Sequence, residues 1–312
     1  MIRYLLMHTC ESFLLAVMTL FGTIDLCSAQ SNMIPASLQQ NTFRQRQKLL
    51  RGRMRNDITI KTDISYTDVP DRLQTLDIYY PAPHENPEPI LVHIHGGGWS
   101  TGDKRMMRHH GLFYAGHGII FIAVNYQLSP KVQHPSHIQD CAAAFAWVYA
   151  HAKEIGGDRN RIFVSGHSAG AHLAALLGTN STYLQQYNIS PKALAGVIGV
   201  DAASYDLLTP TSEKLNKRFI MQAFGIDHEI LQSASPYYNV VDHQAYPPFL
   251  LLNTSVRMEA AVAAKRFADK LHSVHCAAQI VVVGGHTHEE MNSAMYNESD
   301  TVGREILRFI LK

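Results

Sequence analysis

An α/β fold, with a mostly parallel central sheet and helices on both faces, is predicted by three features of this 312-residue sequence. From residue 90 onward, short continuous apolar runs alternate with helical patterns, and strands that are apolar on both faces belong in a parallel sheet buried from both sides. Before residue 90 the pattern has period two instead, as at the edge of a sheet. The third feature is Gly166-His167-Ser168-Ala169-Gly170, set without a gap between an apolar β-branched run and a small-residue helical run. In that context G-x-S-x-G describes a sharp turn that lifts one hydroxyl above the end of a sheet.

Taken in order, Ile58, Ile60, Ile64 and Tyr66 alternate with polar residues, and Leu76, Ile78 and Tyr80 do so again. These predict two antiparallel edge strands. Pro81 to Pro89 then interrupts the chain. Buried strands are expected at 90–94, 118–124, 161–164, 194–200, 249–252 and 279–283, and helices at 104–115, 138–152, 169–177, 259–273 and 302–311. Sites in such sheets lie beyond the carboxyl ends of the strands. Residues 205–246 break the alternation with a helical patch at 215–224 followed by Ser-, Asn- and Tyr-rich sequence, and an insertion there would form a small cap over the site.

The remaining organisation follows from composition. With 46% apolar and 17% charged residues, one large core is expected over residues 57–312. The net charge of +1 gives no electrostatic basis for binding nucleic acid or an anionic membrane. Residues 1–29 read as a secretory signal peptide: Arg3 supplies an early positive charge, 13–21 is apolar, and Cys27-Ser28-Ala29 precedes a cut at Gln30. If uncut, the same segment would be the chain's contact with a membrane, although its apolar run is short of the ~20 residues a span needs. Residues 30–56, rich in Gln, Arg, Ser and Asn without a period, read as a linker or weakly ordered arm. Removal of the leader would leave Cys141 and Cys276, either paired or as two buried thiols, and no cysteine spacing resembles a metal site. Asn180, Asn253 and Asn297 each begin an N-x-S/T pattern.

Ser168 is the candidate nucleophile, and a serine hydroxyl needs a base. His95-Gly96-Gly97-Gly98-Trp99 follows the strand at 90–94. Consecutive glycines allow main-chain N–H groups to face a substrate oxygen, so Gly96, Gly97 and Ala169 are expected to form an oxyanion hole. Among 18 histidines, His286 and His288 stand at the end of the last apolar strand. His93 and His95 are expected to support the glycine loop, and His167 and His172 to pack around the turn.

Four stretches carry a resemblance to the α/β-hydrolase superfamily, in its hormone-sensitive-lipase-like and bacterial feruloyl/acetyl-xylan-esterase-like branch. They are His95-Gly96-Gly97-Gly98-Trp99; Val124-Asn125-Tyr126-Gln127-Leu128-Ser129-Pro130; Ile138-Gln139-Asp140-Cys141-Ala142 with Ala146-Trp147; and Gly156-Gly157-Asp158-Arg159-Asn160-Arg161-Ile162. The resemblance implies an α/β-hydrolase fold over residues 57–312. Within Gly284-Gly285-His286-Thr287-His288 it puts the base at His288, with His286 second, and it implies structural roles for Asp140 and Asp158. In the turn after 249–252, where the family usually carries its acid, this chain reads Asn253-Thr254-Ser255-Val256-Arg257-Met258-Glu259. Arg257 cannot accept an imidazole N–H. Glu259, reaching back, is favoured as the acid over Asp201, which ends the preceding strand.

The resulting expectation is a secreted or periplasmic serine esterase acting on small carboxylic esters, an acylated sugar among them, through an acyl-enzyme and without metal or cofactor. A non-catalytic binding protein on the same fold, motivated by the altered acid turn, and an amidase or peptidase are the alternatives.

Overall fold

The computed structural model describes residues 57–69, 71–81 and 86–312, and for 210–216 the backbone only. The expected signal peptide at 1–29 and arm at 30–56 lie outside the described residues. An eight-stranded sheet runs through the described chain in the order β1-β2-β4-β3-β5-β6-β7-β8. Its strands are β1 (Ile58–Ser65), β2 (Thr75–Pro81), β3 (Glu88–Ile94), β4 (Ile120–Val124), β5 (Gly157–His167), β6 (Leu194–Val200), β7 (Phe249–Thr254) and β8 (Ala278–Val283). The two N-terminal strands pair antiparallel with each other, and β2 pairs antiparallel with β4. Every pairing from β4 through β8 is parallel. The alternating pattern thus marks one edge of the sheet and the continuous apolar runs its parallel part, but β8, expected buried over 279–283, forms the opposite edge and leaves Val282 exposed.

Helices cover both faces. The described ones are α1 (Arg108–Gly116), α2 (Ser136–His151), α3 (Ala169–Thr179), α4 (Thr182–Gln185), α5 (Pro210–Phe224), α6 (His228–Ala234), α7 (Met258–Ser273), α8 (His288–Ala294) and α9 (Thr301–Ile310). Side chains from alternate strand positions sort into two apolar layers. Val92, Ile94, Ile122, Val164, Val197 and Leu251 pack with α2, α3 and α7 on one side, whereas Leu91, Phe121, Phe163, Ile198 and Leu250 pack with α1 and α9 on the other. Alternation across a sheet places successive side chains on opposite faces, so a strand buried on both must be apolar throughout.

The segment following the glycine-rich loop is pinned by a buried cation. The Lys104 ammonium lies between the Asp63 and Asp77 carboxylates, and the Lys104 main-chain N–H donates to Asn125 Oδ1 at 2.6 Å. A fully buried ammonium needs such partners. Cys141 and Cys276 are buried free thiols, and burial raises the pKa of both. No helix among the described residues is long and apolar enough to cross a membrane.

The irregular interval at 205–246 holds α5 and α6. Its inner side chains Ile220, Ala223 and Phe224 are buried, and the Phe224 ring meets Trp99 edge-on at 4.9 Å and His172 at 5.4 Å. The insertion therefore packs directly on the glycine loop and on the helix that follows Ser168.

Candidate active site

Ser168 sits between the end of β5 and the start of α3 with φ 57° and ψ −120°, a left-handed conformation costly for a residue with a Cβ. The surrounding packing imposes it. A Cβ on Gly166 would lie 2.2 Å from the Gly170 carbonyl carbon, and one on Gly170 would lie 2.0 Å from the Ile94 oxygen. Both glycines are thus required by backbone crossing backbone. The Ser168 N–H donates to Val200 O at 2.9 Å, tying the turn to β6.

The same crowding brings the glycine-rich loop to the serine. A Cβ on Gly96 would stand 2.9 Å from His167 O and 3.3 Å from Ser168 Cβ. Gly97 and Gly98 take φ of 112° and 59°, and Gly97 O accepts from the main-chain N–H groups of Ser100 and Thr101. Among the described residues, the N–H groups of Gly96, Gly97 and Ala169 do not donate in the main-chain hydrogen bonds of turns and loops. His95 Nδ1–H donates to Gly96 O at 2.7 Å while its ring stacks on Tyr126, so this histidine braces the loop. His93 instead contacts Ser165 Oγ at 2.9 Å inside the sheet.

His288 Nε2 accepts from Ser168 Oγ at 2.9 Å. Its Nδ1–H donates to Asp201 Oδ2 at 2.6 Å. These two bonds assign the tautomer, because a carboxylate only accepts. His288 opens α8, whose start is fixed by Thr287 and Glu290 in a reciprocal capping box. His286 points elsewhere: its Nε2 bonds Asp300 and its Nδ1 bonds Gly284 O, the first influence raising its pKa being the latter bond. His167 Nε2–H donates to the His288 carbonyl at 2.8 Å, anchoring the base's own main chain, and burial lowers its pKa to about 3, with His288 adding to the effect. His172 accepts from Trp99 Nε1–H at 3.3 Å and donates to Ala234 O at 2.9 Å, linking α3, the glycine loop and α6.

The preference for Glu259 as the acid is corrected by this geometry. Glu259 is half-buried in the first turn of α7, where its charge complements the positive end of the helix. The Arg257 side chain occupies the space beside the imidazole, with Nη1 2.6 Å from His288 Nδ1. Asp201 is the carboxylate in reach, fully buried with a left-handed φ of 51° just beyond β6. Arg257 Nη1 also donates to Asp201 O at 3.0 Å and to Asp201 Oδ2 at 2.5 Å. Burial alone would raise the Asp201 pKa, but hydrogen bonds from His288 and Arg257 outweigh it and hold the carboxyl below its ordinary value.

Sequence reasoning excluded Arg257 as the acid and assigned it no other role. A signal was present: an arginine in a turn beside buried strands needs a carboxylate partner, and Asp201 ends the neighbouring strand. His167, Asp201 and His288 also form the group of potential metal ligands found among the described residues. A cation placed there would meet the Arg257 guanidinium in the same space, so this donor set suits hydrogen bonding better than metal binding.

With the geometry defined, the chain can be compared with known proteins. The sequence model of the BD-FAE family matches residues 76–257, more than half of the chain. The chain belongs to the BD-FAE family. The match runs from β2 through the glycine loop, Ser168 and Asp201 and ends on Arg257. Esterase LipC of Mycobacterium tuberculosis is 30% identical over 200 residues, covering 60% of this chain and 49% of that protein. The probable carboxylic ester hydrolase LipM of the same organism is 30% identical over 237 residues, covering 71% and 54%. The chain thus spans about half the length of these curated relatives. Among solved structures, esterase B of Lactobacillus rhamnosis superposes with a TM-score of 0.69 at 22% identity, over 88% of this chain and 93% of that one. That likeness establishes the α/β-hydrolase fold of this BD-FAE member.

Proposed function

We propose that this protein is a serine carboxylic ester hydrolase. The observation that carries the proposal is the unbroken hydrogen-bond chain from Ser168 Oγ through His288 to Asp201, with Gly96 beside the serine. In this reading Ser168 Oγ attacks the acyl carbon while its proton passes to His288 Nε2, and the developing oxyanion takes hydrogen bonds from Gly96, Gly97 and Ala169 N–H. The imidazolium is stabilised by Asp201 and returns the proton to the departing alkoxide. Water then attacks the acyl-enzyme with His288 again as base, releasing the acid and restoring Ser168.

The family and the esterase relatives support an ester as substrate, and small acyl esters, including those of sugars, are the class proposed. The non-catalytic alternative took its motive from Arg257 in the acid's turn, and a carboxylate bonded to His288 removes that motive. Export through the leader at residues 1–29 belongs to the same proposal, supported by Arg3, the apolar run 13–21 and the small residues before Gln30.

Ser168→Ala should abolish hydrolysis of p-nitrophenyl acetate with little change in melting temperature, and a fluorophosphonate probe should label the parent but not the variant. A parent that neither hydrolyses the ester nor reacts with the probe would refute the reading. Comparing an ester with its matching anilide tests the amidase alternative.

A further inference from the structure

Asp201 is an unusual carboxylate for its task. It is fully buried, it follows β6 in a left-handed conformation, and among the described residues its side chain has, apart from His288 and Arg257, one long contact, Thr254 N–H to Oδ1 at 3.4 Å. A buried charge so thinly solvated by main-chain donors would ordinarily turn towards another partner or take up a proton. Arg257 supplies what the main chain does not. One nitrogen, Nη1, donates both to the Asp201 carbonyl and to Oδ2, so it fixes the backbone and the carboxylate of the same residue.

The loop that presents Arg257 is built for this. Thr254 Oγ1 donates to His286 O at 2.5 Å and accepts from Val256 N–H at 3.3 Å, and Asn253 Nδ2 donates to Ala260 O at 3.3 Å. The first bond ties the turn between β7 and α7 to the turn that carries His288, and the other two hold that turn in shape. Arg257 is half-buried, and its Nη1 meets Nδ1 of His288 at 2.6 Å. A guanidinium cannot accept a proton. The two donors therefore converge on one oxygen, each restricting where the other can lie.

We propose that Arg257 is a positioning residue for the active site: it holds the Asp201 side chain aimed at His288 Nδ1, supplying from the β7–α7 turn the donors that the main chain around Asp201 does not. The proposal rests on the serine-hydrolase reading above, because it assigns Arg257 a role through that triad. It does not make Arg257 a participant in the bond-making steps.

The test is Arg257→Ala with chemical rescue. A hydrogen bond to a charged group is typically worth ~10- to 100-fold in an equilibrium, so kcat on p-nitrophenyl acetate should fall by that range with KM little changed. Millimolar guanidinium should restore part of kcat, and sodium chloride or urea at the same concentration should not. Arg257→Lys, which keeps the charge and one donor, should lie between the parent and the alanine variant, and it also carries the test should the alanine variant fail to fold. An unchanged kcat, a faster variant, or a loss that guanidinium cannot restore in a folded protein would overturn the proposal. An inactive parent would instead refute the esterase reading, so the two failures are distinguishable.

Discussion

His288 Nδ1 lies 2.6 Å from Asp201 Oδ2 across a separation of 87 residues, and the sheet register produces the meeting. His167 pairs with Val200 in the parallel β5–β6 ladder, so Ser168 and Asp201 follow side by side, and Asp201 N–H donates to Leu252 O of β7 at 2.7 Å. The carboxylate that bonds His288 therefore comes from the strand next to the one that carries Ser168. Asp201→Asn should lower kcat by ~10⁴-fold, the loss typical when a triad acid becomes an amide and the imidazole adopts the wrong tautomer. Glu259→Gln should stay within about twofold of the parent, because this residue contributes only a first-turn charge to α7. Steady-state kinetics on one ester decide between the two carboxylates, and a large loss in the Glu259 variant alone would reverse the assignment.

Much of this architecture was legible because the local and global patterns agree. The strands expected at 90–94 and 194–200 appear as β3 (Glu88–Ile94) and β6 (Leu194–Val200), since their apolar runs are buried on both faces. The expectation at 161–164 was too short. β5 starts at Gly157, and of its polar first residues Asp158 is half-buried while Arg159 and Asn160 are exposed, giving no apolar signal. The helix beginning at His288 was missed because it is only two turns long, although Thr287 and Glu290 form a capping pattern. The carboxylate that meets His288 was misjudged for a deeper reason. Neighbourhood in the chain favours Glu259, whereas neighbourhood in the sheet favours Asp201, and strand order is not written in any local pattern.

Acid should destabilise the fold well above the usual carboxylate range. Burial lowers the pKa of His110 and His137 to about 4 and, as the main cause, those of His167 and His172 to about 3. In the unfolded chain a histidine takes its proton near pH ~6.5. The sign follows: between that pH and the folded value the unfolded state binds more protons, so stability present above ~6.5 is lost as pH falls, by up to ~1.4 kcal/mol per pH unit for each such group. The melting temperature should drop progressively from pH ~6.5 towards ~4. A melting temperature that is flat from pH ~7 to ~5 would mean that these imidazoles take up protons in the fold as readily as in water.

The glycines of the elbow should prove structural as much as catalytic. In Gly170→Ala the new methyl would stand 2.0 Å from Ile94 O and 2.7 Å from His95 O, both fixed main-chain atoms. Relief requires α3 and β3 to separate, so a loss of more than ~3 kcal/mol or failure to accumulate as soluble protein is expected, as for other severe core overpacking. Gly156→Ala is the control for the loss of a glycine as such. Its Cβ meets nothing within 4 Å, and the remaining cost is its φ of 78°, which should amount to only ~1–2 kcal/mol. Denaturant melts of the two variants separate crowding from backbone strain.

Phe219 on α5 should govern how long an acyl group the site accepts. Its ring stands over the glycine loop, close enough that a Cβ on Gly98 would fall 2.8 Å from Cδ1, yet the side chain remains 41% exposed. The neighbouring Phe224 is buried against Trp99 and His172 and holds the end of the helix down. Phe219 is therefore an aromatic wall on a fixed helix beside the proposed oxyanion site, free to be cut back without unseating α5. Phe219→Ala should open space for additional methylenes, each worth ~1–3 kcal/mol in an apolar pocket. The ratio of kcat/KM for p-nitrophenyl hexanoate to that for the acetate should rise by about tenfold, while Phe224→Ala should instead lower the melting temperature. If the chain-length profile of Phe219→Ala matches that of the parent, the acyl group leaves the serine in another direction, away from α5.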